Sequence, residues 1–194
     1  MQHTFDFYQD QSHRPKRPER LFFCLLPDKE MGSQVAQFSD RLFAQNRLRG
    51  SRLRTDRLHM TLHHIDDFKR LRTKDVYAAQ QVGKAISMGP FEVDFRFVHS
   101  FDAASYKKDR RPLVLLGEGE GLKELFHALG IEMARYGLKV AVDFTPHMTL
   151  SYGPQAISMQ AIEPIRFVAR DFTLIHSRQG LTQYEVIDRW SLVA

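Results

Sequence analysis

A lone cysteine, Cys24, leaves the chain no internal disulfide to form. It lies inside an apolar run, where a small buried core residue is expected rather than a reactive thiol. Without a disulfide framework a reducing compartment is the expected setting, and the cytoplasm is the default. No apolar stretch approaches the roughly 18 residues a membrane span requires, so no membrane partner is expected. Residues Met1 to Glu19 are polar and mixed, without the apolar core of a signal peptide. Acidic residues are in the minority: 23 Asp and Glu face 28 Lys and Arg, for a formal charge of +5. That balance favours polyanionic partners, nucleic acid first, through a basic groove rather than a charge-coated surface.

What is present suits one ordinary domain with a real core: 194 residues, 43% hydrophobic and 26% charged. Residues 1–19, with Arg14, Lys16 and Arg17 set among Pro15 and Pro18, read as an extended basic arm. Residues 20–194 read as a single domain, expected to be a monomer. Arg20 to Leu26 is an apolar strand ended by Pro27, and Met31, Val35, Phe38 and Leu42 then recur at helical spacing behind an Asp28 N-cap. A second helix is predicted from Thr73 to Ser87, and from Phe91 the period switches to two. Asp102 to Arg111 reads as a loop, and Leu113 to Leu116 as a strand. Leu122, Leu125, Phe126, Leu129, Met133 and Tyr136 mark an amphipathic helix stopped by Gly137. The glycine-rich stretch Gly117 to Gly121 lacks the lysine of a phosphate loop and carries two glutamates, so it reads as a plain loop. Late in the chain, Ile165 to His176 reads as a strand that turns at Gln179-Gly180 into Thr182 to Leu192.

The tetrapeptide His59-Met60-Thr61-Leu62 recurs as His147-Met148-Thr149-Leu150, each time in a short strand-like run. Side chains on a strand alternate, so each copy buries Met and Leu and presents an imidazole beside a hydroxyl. Each copy also follows a strand-then-helix unit, as an internal duplication would produce. Two such strands facing one another place two titratable bases and two neutral donors about one cleft. Histidine takes and gives protons near neutral pH, and displacement at a phosphodiester needs a base on one side of phosphorus and an acid on the other. Threonine hydroxyls can hold the non-bridging oxygens without adding charge. By the same alternation His63 is placed to line the cleft beyond Thr61, and the aromatics Phe22 and Tyr152 are placed to stack a base. A metal is not expected: His59 and His63 stand about 13 Å apart along an extended chain, too far to chelate one ion.

The paired His-x-Thr-x motifs resemble those of the 2H phosphoesterase superfamily, and within it the RNA 2′,3′-cyclic phosphodiesterase (2′-5′ RNA ligase-like) group. The opening strand Arg20-Leu21-Phe22-Phe23 and the closing hairpin, with Ser177 before its turn and Tyr184 after it, are similar as well. The resemblance spans roughly residues 20–192. It implies an α+β fold, bilobal and pseudo-two-fold, with two antiparallel sheets flanked by helices about a central cleft. It implies hydrolysis of RNA or nucleotide 2′,3′-cyclic phosphates to 2′-phosphates without metal or other cofactor, and 2′-5′ ligation as the reverse reaction. His147 would be the general base and His59 the general acid, an assignment open to inversion, with Thr61 and Thr149 on the phosphate. A 2′-5′ oligonucleotide phosphodiesterase and a non-catalytic RNA-binding module remain the alternatives. One departure stands out: many members carry an arginine two residues after the second motif, where this chain has Ser151 and then Tyr152. Arg54, Arg57 and Arg178 are the candidates for the missing cation.

Overall fold

In strand β1 (Glu19–Leu25), Leu21, Phe23 and Leu25 enter the main core while Phe22 and Cys24 face the other way. That alternation sets the plan: one face of the sheet is covered by helices, and the other is left for the site. The computed structural model describes residues 16–102, 110–181 and 183–193. After β1 come α1 (Lys29–Asn46), β2 (Ser51–Arg52), a 3-10 turn (Thr55–Arg57), β3 (Met60–Phe68), α2 (Thr73–Ala85) and β4 (Phe91–Ser100). They are followed by β5 (Arg111–Glu118), α3 (Glu120–Arg135), β6 (His147–Gly153), β7 (Gln160–Ala169), β8 (Asp171–Arg178) and β9 (Gln183–Ser191). The local signals act as expected: the Asp28 carboxylate accepts the Met31 N–H at 2.8 Å and starts α1. Gly137, at φ 68°, lets the chain leave α3, with its N–H on the Ala134 carbonyl and that of Leu138 on Met133.

Every strand pairing among the described residues is antiparallel, in the order β7-β4-β5-β6-β3-β1-β8-β9, with β2 beside β6. At the centre β3 and β6 share one residue pair, Met60 with Met148. The two expected antiparallel sheets, β9-β8-β1-β3 and β6-β5-β4-β7, therefore meet at a single bridge. The order strand, helix, motif strand occurs in each (β1-α1-β3 and β5-α3-β6), which is the pseudo-two-fold arrangement expected for an α+β bilobal fold. Met60 and Met148 are fully buried, and the core around them takes in Leu21, Phe23, Leu115, Leu150 and the inner stripe of α3.

Three details differ from the sequence reading. Ile165 to His176 is not one strand: Arg170 breaks it into β7 and β8, which lie in opposite halves of the sheet order. One residue spans less than 4 Å, so the sheet must wrap until those two regions meet. The glycine-rich stretch is not a loop: β5 runs through Glu118, and Gly119 at φ 152° turns straight into α3. The third difference is β2, too short to show as a periodic run. Of the basic arm expected over residues 1–19, residues 1–15 lie outside the described residues, and Glu19 already belongs to β1. Most of the loop expected over residues 102–111 lies outside them as well.

Candidate active site

The two motifs fold alike because each carries a β-bulge at the same point. Opposite β1, Cys24 pairs with Thr61 but Phe23 pairs with His63, leaving Leu62 as the extra residue. Opposite β5, Val114 pairs with Thr149 but Leu113 pairs with Ser151, leaving Leu150 extra. An extra residue slips the alternation by one, so the following side chains change faces. This overturns the placement of His63 in the cleft. His63 is fully buried in the core, its ring stacked on Phe126 at 4.1 Å and its Nε2 on the Phe126 carbonyl at 2.8 Å. His64 faces the cleft instead, and at the equivalent place in the second motif so does Tyr152.

The motif residues themselves converge. His59, Thr61, His147 and Thr149 all line one cleft of about 1150 Å³. Antiparallel register about the Met60–Met148 bridge sets His59 beside Thr149 and His147 beside Thr61. Each imidazole is fixed in the same way: His59 Nδ1 donates to the Arg57 carbonyl at 2.9 Å, and His147 Nδ1 donates to the Thr145 carbonyl at 2.7 Å. A carbonyl only accepts, so Nδ1 holds the proton and Nε2 is left to exchange one. Aromatic rings wall both groups. Phe22 lies 5.2 Å from the His59 ring and Tyr184 meets it edge-on at 5.4 Å, while Phe101 meets His147 edge-on at 4.9 Å.

Burial pushes the His59 value down to about 4; the bond to Arg57 works against this, and the charges of Arg57, His147 and Arg20 add to it. Burial also lowers His147, only partly offset by its bond to Thr145. Both rings are therefore neutral at pH 7 in the free protein. On the cleft wall Arg20 holds Asp67 with two bonds, at 2.7 and 2.9 Å, and His64 Nε2 and Gln179 Nε2 reach the same carboxylate at 3.0 and 3.1 Å. Burial alone would raise Asp67, but the bonds from Arg20 and His64 hold it well below the usual carboxylate range. Cys24 is fully buried and its thiol is pushed up by burial, as suits a core residue.

Six arginines line the cleft (Arg20, Arg52, Arg54, Arg57, Arg110 and Arg178) against one acidic residue, Asp56, among the described residues. Of the sequence candidates, Phe22 is 2% exposed, so it backs His59 rather than offering an open stacking face. Tyr152 is half-buried on the opposite wall, with Arg110 over its ring at 5.7 Å. Tyr184, Arg20 with Asp67, and Phe101 were not singled out as site residues from the sequence. Arg20 shares strand parity with Phe22, which was a readable signal, but its partner Asp67 is set by a bulged register that no periodicity shows. Among the described residues, no group of three or more His, Cys, Asp or Glu is placed to hold a metal ion. No helix among them is long and apolar enough to cross a membrane.

No family model matches the chain, and no curated protein does. Solved structures do. LigT of E. coli complexed with 3′-AMP superposes with a TM-score of 0.70 at 23% identity, over 91% of this chain and 99% of that one. A structure described as a phosphoesterase gives 0.67 at 24% identity, over 91% and 100%. Usb1 of Kluyveromyces marxianus gives 0.50 at 11% identity, over 89% and 98%. The chain thus has the LigT-like 2H phosphoesterase fold that the paired motifs implied.

Proposed function

We propose that this chain is a phosphodiesterase that opens 2′,3′-cyclic phosphates on RNA ends or nucleotides to 2′-phosphates, using the two histidines and no metal. The observation that carries this reading is the matched pair of imidazoles. They stand in one arginine-lined cleft on either side of a single bridge, each held by the same Nδ1–H bond to the carbonyl two residues back. A cyclic phosphate between them would meet a base on one side and an acid on the other. His147 Nε2 takes a proton from water as the water oxygen attacks phosphorus, the bond from phosphorus to O3′ breaks, and His59, which must enter the complex as imidazolium, gives its Nε2 proton to O3′. Thr61 and Thr149 donate to the non-bridging oxygens. The ligation expected from the resemblance is the same displacement with a 5′-hydroxyl in place of water, which leaves a 2′-5′ diester and a free 3′-hydroxyl. That LigT, which shares the fold, is described in complex with 3′-AMP supports a nucleotide ligand here.

The test is product analysis. With a 2′,3′-cyclic nucleotide and excess chelator, phosphorus NMR should show steady conversion to the 2′-phosphate alone. A 3′-phosphate product, or activity abolished by chelator and restored by zinc, would contradict the reading.

A further inference from the structure

We infer that Arg57 is the cation that grips the phosphate in this cleft, replacing the arginine that the second motif lacks. This rests on the reading of the cleft as a phosphate site. The bulge after each Thr brings the fifth residue beyond each motif histidine to the cleft face, where the chain offers His64 and Tyr152, and neither is a fixed cation. The charge must come from elsewhere. Arg20 is held by Asp67, Arg52 by Asp40, and Arg54 by Asp56. Arg178 is about half exposed, 3.8 Å from Glu185, and Arg110 is exposed, 5.7 Å from the centre of the Tyr152 ring, so neither is desolvated.

Arg57 is different. Its guanidinium lies over the Tyr184 ring, 3.7 Å from the centroid, and its Nε and Nη1 are buried with no hydrogen-bond partner among the described residues. A desolvated charge with unmade bonds is costly, and the ring face returns only part of that cost. An anion in the cleft would supply the missing partner. Guanidinium also suits a phosphate in shape, since its N–H groups can meet two oxygens at once.

Placement agrees. Arg57 closes the 3-10 turn directly before the first motif, and its own carbonyl holds the His59 ring. Tyr184, under the guanidinium, is edge-on to that ring. The pseudo-symmetric residue, Thr145, holds His147 by its carbonyl but brings no charge. The cation therefore sits on one side of the cleft only, so a bound phosphate is oriented by the His59 half.

Titration with inorganic phosphate, followed by calorimetry, compares the parent with Arg57→Gln and with Arg135→Gln, an exposed α3 residue outside the cleft that removes the same charge. Arg57→Gln is expected to weaken phosphate binding about ten- to a hundredfold, and Arg135→Gln to leave it unchanged. Arg57→Gln that binds like the parent would overturn the assignment to Arg57 alone, whereas a parent that binds no phosphate would overturn the cleft reading with it. A second measurement needs no variant. Phosphate should shield Arg57 from phenylglyoxal in the native protein, and equal modification with and without phosphate would refute the grip.

Discussion

At the scale of single residues, two histidines with lowered values predict how the protein answers pH. In kcat/KM, which reports the free protein, both limbs of the bell should fall below the ordinary histidine value of 6.5, giving an acidic optimum. Burial is the main cause of the low His59 value and nearby positive charges add to it; a bound phosphate offsets those charges, so the kcat profile should lie at higher pH than that of kcat/KM. An optimum in kcat/KM above pH 7 would contradict this. Stability follows with a defined sign. His59 binds its proton at about 4 when folded and near 6.5 when unfolded, so the unfolded chain protonates first on acidification. Its contribution is whole above pH 6.5 and is lost as pH falls toward 4. Urea midpoints should drop across that window, and His59→Gln should drop less. That both histidines matter was legible in the sequence, because the motif occurs twice. Their shifts were not, because they arise first from burial, and the rings that wall the two imidazoles, Phe22, Tyr184 and Phe101, are distant along the chain.

At the scale of elements, helices and caps were readable because their causes are local: Asp28 starts α1, and Gly137 ends α3. Strand faces were readable only up to the first bulge. Alternation assigned Met60 and Met148 to the core correctly, then failed at His63, because whether Leu62 is an extra residue depends on β1, not on β3. The short strand β2 was hidden for a similar reason. Gly50, at φ 138°, lets it lie so close to β6 that a Cβ there would fall 2.3 Å from the Tyr152 carbonyl oxygen. This pairing carries the segment leading to Arg57, so a contact made by glycine positions the cleft wall. The bridge itself can be tested. Met60→Ala removes a fully buried side chain where the two sheets meet, and should cost about 2–5 kcal/mol in urea unfolding. A loss within about 0.5 kcal/mol, the range of ordinary surface changes, would mean the bridge does not hold the halves together.

At the scale of the whole molecule, the sequence order of strand, helix and motif strand, repeated, was enough to anticipate two matching halves. It did not reveal that one residue, Arg170, carries the chain from β7 across to β8, since Arg170 is one of several polar residues between Ile165 and His176 and brings no glycine or proline to mark a break. The consequence for chemistry is that neither half holds a complete site: each brings one imidazole and one hydroxyl to the shared cleft. Groups that act on one phosphorus atom should fail together. The direct measurement is kcat on a 2′,3′-cyclic nucleotide for His59→Ala, His147→Ala and the double variant. Each single variant should lose about 10²–10⁴-fold, and the double should be little worse than the poorer single. Parent-like turnover in either single variant, or losses that multiply in the double, would contradict a site shared between the two halves.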